Sequence, residues 1–148
     1  MPLLSGQKIR PAQTPGWVAE DIRTTSSGTF TTTETVLQWA TFTAVNVARH
    51  KITALQGVQS TAAGDLIRVR LRWEGGGTLT TGGTQLLALL PNADIATKGT
   101  LLTMVATVTG LTGSVSMGVT AVRDTGTGTI SSFGAAGRQE HLVLVERV

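Results

Sequence analysis

An all-β fold, a single jelly-roll-like antiparallel sandwich of about eight strands, is what this sequence predicts, and three observations carry the prediction. Ile67, Val69, Leu71 and Trp73 alternate with Arg68, Arg70, Arg72 and Glu74, a period of two that lays an apolar row inward and a guanidinium row outward. Apolar segments of strand length recur along the chain, each bounded by a turn signal. Threonine is the commonest residue and 18 glycines punctuate the apolar stretches, while no segment sustains a helical period.

Residues 1–16 stand apart as an N-terminal arm. Pro2, Pro11 and Pro15 interrupt any regular element, and Leu3, Leu4 and Ile9 are apolar without period. Such a stretch cannot build a core, so its apolar residues and Arg10 point to docking on a neighbouring subunit or a larger assembly. The competing reading is a disordered terminus.

Residues 17–148 form the sandwich, with strands expected at 18–23, 33–42, 48–60, 66–74, 85–90, 101–109, 114–123 and 141–147. Turns come from Ser26-Ser27-Gly28, Ala62-Ala63-Gly64-Asp65, Gly75-Gly76-Gly77, Gly82-Gly83, Pro91-Asn92-Ala93-Asp94, Gly110 with Gly113, and Gly126 with Gly128. Residues 92–98 have room for one helical turn at most. Aromatics make up only 4% of the chain, so the core is built of Val, Leu, Ile and Ala, with Trp39 and Trp73 in the apolar register of their strands.

Two strands read apolar on both faces: Leu86-Leu87-Ala88-Leu89-Leu90 and Leu142-Val143-Leu144-Val145. A sandwich normally gives its outer face to water, so these strands need a second cover. Packing between subunits supplies it, which makes Leu87, Leu89, Val143 and Val145 expected interface residues. Shielding by loops is the alternative. Arg68, Arg70 and Arg72 form the most prominent polar feature, facing a subunit or an acidic partner, or paired with carboxylates such as Glu20, Asp21, Glu34 and Glu74.

Composition excludes more than it proposes. Cysteine is absent, so no disulfide or thiolate metal site is available, and this fits assembly in a reducing cytoplasm. The opening residues lack the charged start and apolar stretch of a secretion signal, and no apolar run nears the roughly 20 residues that span a bilayer. No membrane partner is expected. The sequence pI of about 10.2 reflects missing buffering groups: 12 Lys and Arg against 9 Asp and Glu leave a net charge of only +3. With charged residues at 14%, a dense phosphate-neutralising surface is not expected, nor is a nucleic-acid partner.

Catalytic patterns are wanting. His50 and His141 fall within strands with no nucleophile tied to them, and Ser114-Val115-Ser116-Met117-Gly118 misses the nucleophile elbow at its first position. Gly126-Thr127-Gly128 has no following helix and no metal-ligand spacing occurs, so neither an enzyme nor a cofactor is expected. Loops 75–83 and 124–137 are long and rich in Gly, Thr and Ser. The second carries Asp124, Thr127 and Phe133, which makes it a possible ligand loop.

Several segments resemble small virion proteins of tailed phages, notably those infecting actinobacteria. They are Leu4-Ser5-Gly6-Gln7-Lys8-Ile9-Arg10-Pro11-Ala12, Ser60-Thr61-Ala62-Ala63-Gly64-Asp65, Val119-Thr120-Ala121-Val122-Arg123 with Gly126-Thr127-Gly128-Thr129, and Leu142-Val143-Leu144-Val145-Glu146. The resemblance implies a structural protein on the particle: a capsid decoration, head-fibre knob or minor tail protein, assembled in the host cytoplasm. It implies a homotrimer whose arm anchors to the major capsid protein or another virion protein. A tail-associated adhesion module binding host surface glycans through its loops is the alternative.

Overall fold

A computed structural model describes residues 16–133, apart from 24, 26 and 47, and residues 141–148. Ten strands run through them: β1 (Gly16–Arg23), β2 (Thr35–Ala44), β3 (His50–Ser60), β4 (Asp65–Gly75), β5 (Thr84–Leu89), β6 (Asn92–Ala93), β7 (Thr100–Val108), β8 (Gly113–Thr125), β9 (Ile130–Ser132) and β10 (His141–Arg147). The segment given room for a helical turn holds the short strand β6 and a turn instead, closed by the Lys98 amide donating to the Ile95 carbonyl.

Two antiparallel sheets make the sandwich. The first runs β1-β10-β3-β7, with β9 also on β3; the second runs β2-β8-β4-β5, with β6 also on β4. The long strands pair as nested hairpins: β1 with β10, β2 with β8, β3 with β7 and β4 with β5. Winding such a ribbon so that β10 also meets β3, and β8 also meets β4, gives the jelly roll.

Alternation fills the space between the sheets. Ile52, Ala54 and Val58 of β3, Val143 and Val145 of β10, and Met104 of β7 face Ile67, Val69 and Leu71 of β4 and Val115, Met117, Val119 and Ala121 of β8, all buried. Small β-branched and aliphatic side chains suit a layer only about 10 Å thick. Trp73 packs against this core as expected. Trp39 does not: it alternates out of phase with the buried Gln38, Ala40 and Phe42, and lies half-buried with the Arg23 guanidinium 5.6 Å from its ring centre. A register shift between Val36 and Gln38 resets the phase of β2, which sequence alternation alone could not show.

Candidate functional site: two outer faces and a loop clasp

The outer faces of the two sheets differ in chemistry. On the second sheet the arginine row is neutralised within the chain. Arg70 Nη1 donates to Glu34 Oε2 at 2.6 Å, and Arg72 Nε donates to Glu34 Oε1 at 3.0 Å. Arg72 also reaches the Gly83 carbonyl at 2.5 Å, and the Thr120 hydroxyl donates to Glu34. Burial works against the charged form of Glu34, but the hydrogen bonds from Thr120, Arg70 and Arg72 outweigh it and hold its pKa below the ordinary glutamate value. Arg68 pairs with Asp124. Of the four carboxylates foreseen for the row only Glu34 serves it. Glu74 instead accepts the Thr80 amide at 2.7 Å, and Asp21 binds Arg23.

On the first sheet large apolar side chains are interspersed with threonines and three charged residues on the outer face. Register places Ile22, Leu142, Leu55 and Thr103 in one row across the four strands, and Glu20, Leu144, Thr53 and Val105 in the next. Gly57 and Leu101 extend the face at one end; Trp17, Glu146, Lys51 and Thr107 close the other, with Lys51 and Glu146 paired at 2.5 Å. Trp17 is 63% exposed, Val105 51%, Ile22 50% and Leu101 49%.

Both strands that read apolar on two faces have an inner side within the single chain. Val143 and Val145, expected at a subunit interface, are fully buried in the chain's own core, so the outward residues of β10 are Leu142 and Leu144. Leu87 and Leu89 lie opposite Leu71 and Val69 and pack against the core, half-buried because β5 is an edge strand. The arm residues Leu3, Leu4, Ile9 and Arg10 lie outside the described residues, as does the end of the 124–137 loop.

Of the loop residues singled out for a ligand, Asp124 and Phe133 are engaged through their side chains and the exposed Thr127 through its backbone amide only. Asp124 holds Arg68, the Thr127 amide donates to Asp65 Oδ1 at 3.0 Å, and Phe133 covers Gly99, where a Cβ would stand 2.4 Å from its ring. Asp65 itself is a clasp. Its buried carboxylate accepts the Ser60 hydroxyl at 2.6 Å and the Gly128 amide at 2.9 Å, tying the β3–β4 turn to the β8–β9 loop. The Ser60 hydrogen bond holds the Asp65 pKa below its ordinary value against the cost of burial, helped by the Thr127 and Gly128 amides and the charge of Arg123. Loop 75–83 is pinned too: Ser116 donates to the Gly76 carbonyl, Thr41 to the Gly77 carbonyl, and Leu79 is buried.

Asp65 could have been found from sequence only as a turn residue, because its partners in the β8–β9 loop, Thr127 and Gly128, lie 62 and 63 residues later. The histidines make no dyad. His50 opens β3, whereas His141 contacts Gln56 six residues further along, so about 20 Å separates them. Ser116 sits in mid-strand, facing Thr41 rather than a histidine. Among the described residues no group of three or more His, Asp or Glu could hold a metal ion, and no helix is long and apolar enough to cross a membrane.

No protein-family model and no curated protein matches the chain. Among solved structures it is similar to that of the infectious bursal disease virus Gx strain, at 15% identity and a TM-score of 0.39 over 90% of this chain and 34% of that one. The infectious bursal disease virus VP2 subviral particle gives 10% and 0.42, over 86% of this chain and 37% of that one. The Gt strain of the same virus gives 13% and 0.41, over 98% and 42%. The chain thus spans less than half the length of each. Likeness of this degree carries no argument about activity, and the fold assignment rests on the strand register.

Proposed function

We propose that this chain is a non-enzymatic structural protein of a phage virion, a homotrimer that decorates the capsid and is anchored through its N-terminal arm, residues 1–16. One observation carries the reading: the sandwich has a polar outer face whose charges are satisfied internally and an apolar outer face that is not covered by the described residues. A surface protein that assembles with itself needs such a face, and a stand-alone domain does not. The jelly roll by itself decides little, since it serves capsid and lectin domains alike. The resemblance of the arm and of β10 to tailed-phage virion proteins supports the particle over the lectin. Internal engagement of the Asp124 and Phe133 side chains weighs in the same direction.

Cosedimentation with particles tests this. The full chain should pellet with virions lacking it, and a chain without residues 1–15 should stay folded but remain in the supernatant. Pelleting undiminished by the deletion, or loss of folding, would sink the anchor. Binding to host cell-wall glycan with none to particles would favour the adhesion module.

A further inference from the structure

We infer that the outer face of the β1-β10-β3-β7 sheet is the surface on which copies of this chain meet, an inference that rests on the self-assembly in the function proposed above. The expectation from sequence placed the contact on Val143 and Val145, yet these are spent inside the chain. Their neighbours Leu142 and Leu144 point the other way, in register with Ile22 and Leu55. Ile22, Leu142, Leu144 and Leu55 make one apolar patch, and Leu101 and Val105, set apart from it by Thr53 and Thr103, extend the apolar character onto the fourth strand.

Size and chemistry select the occupant. With about 4.8 Å between strands and about 3.3 Å per residue, four strands of some nine residues present roughly 550 Å² in projection. Two such faces together give roughly 1,100 Å² before side-chain relief is counted, close to the lower bound of about 1,200 Å² for a specific interface. Charge on the face is confined to Glu20 and the Lys51–Glu146 pair, which suits neither nucleic acid nor a strongly charged protein. A flat apolar sheet is best covered by another flat apolar sheet, packed at about 10 Å. The chain's second sheet cannot serve, because its outer face is charged and already hydrogen-bonded. The matching surface is therefore the same face of another copy.

Light scattering after size exclusion, on the full chain and three variants, tests this. The unaltered chain should elute as an oligomer, at two or more times 15.4 kDa. Leu144→Lys and Val105→Lys should each elute as monomers with unchanged far-ultraviolet circular dichroism. Val105 lies on an edge strand and is half-exposed, so its replacement leaves the core untouched even where Leu144→Lys fails to fold. Thr41→Lys, on the opposite sheet, should keep the assembly. Face variants that still assemble would overturn this surface while leaving self-assembly standing. A monomeric unaltered chain would overturn self-assembly itself. Particle cosedimentation of the monomeric Val105→Lys variant then reads the virion role separately from the contact.

Discussion

Asp65 and Gly128 are 63 residues apart in sequence, yet the Gly128 amide donates to Asp65 Oδ2 at 2.9 Å inside the protein. The same oxygen accepts the Ser60 hydroxyl, while Oδ1 accepts the Thr127 amide. Asp65→Ala would leave the buried Ser60 hydroxyl and the buried Gly128 amide without their acceptor, while the Thr127 amide is exposed and can turn to water. At about 1–3 kcal/mol for each unsatisfied buried group, the expected loss is on the order of 2 kcal/mol or more. Asp65→Asn keeps the shape but offers one acceptor oxygen where two are used, so an intermediate loss is expected. Urea unfolding of the two variants checks the ranking, and equal midpoints for Asp65→Ala and the parent would remove the clasp.

Acid should destabilise the fold in two stages. Burial, aided by the charge of Arg147, holds the His50 pKa below its ordinary 6.5. Glu34 and Asp65 are held below 4.5 and 3.8. In each case the unfolded chain binds more protons just below those values, so stability falls as pH falls. His50 contributes first, from about pH 6.5 downward, and the two carboxylates follow below about pH 4.5. His50→Phe keeps a ring against Phe42, whose centroid is 5.1 Å away, and removes the first stage only. Denaturation midpoints between pH 7.5 and 3 should show the parent sloping throughout and His50→Phe level until the carboxylates titrate. A parent curve level from pH 7.5 to 5 would refute the first stage.

Much of the fold was legible in the sequence, because alternation and turn residues act locally. Each of the eight long strands lies within two residues of its expected bounds, as β4 illustrates: 66–74 expected, Asp65–Gly75 found. What local patterns cannot carry is phase and partnership. In β10 both Leu142/Leu144 and Val143/Val145 are apolar, so alternation alone does not say which pair turns inward; the register with Ala54 and Ile52 does. The arginine row of β4 was evident, but its counter-charge Glu34 precedes β2 and reaches it only through the β2–β8–β4 order. That order is a long-range property of the wound ribbon.

Glu34 should matter more than any other surface carboxylate. It is the shared acceptor of Arg70 and Arg72, whose side chains are mostly buried. Glu34→Gln would leave two guanidinium groups side by side without their counter-charge, at an expected cost of about 2 kcal/mol. The loss should grow at low ionic strength, where like charges are less screened. Arg68→Ala removes a more exposed pair and should cost no more than about 1 kcal/mol. Urea midpoints at low and high salt distinguish the two, and a salt-independent Glu34→Gln would mean the arginines find other partners.

Gly126 makes the clasp possible, and its replacement should show that directly. Its φ of 112° lies where side chains are disfavoured, and a Cβ there would stand 1.8 Å from Asp65 Oδ1. Gly126→Ala should therefore cost on the order of 2–4 kcal/mol, whereas Gly75→Ala, with open space around it, should change stability by less than about 0.5 kcal/mol. The two lesions at the clasp share one mechanism, so they should not add. With Asp65 already replaced by Ala, the collision with the carboxylate is gone and the backbone strain and a 3.0 Å approach to the Cα of residue 65 remain, which makes Gly126→Ala cheaper in that background. A four-state cycle of unfolding free energies measures the difference. Full additivity would mean that Gly126 is required by its turn alone and that the approach to Asp65 is incidental.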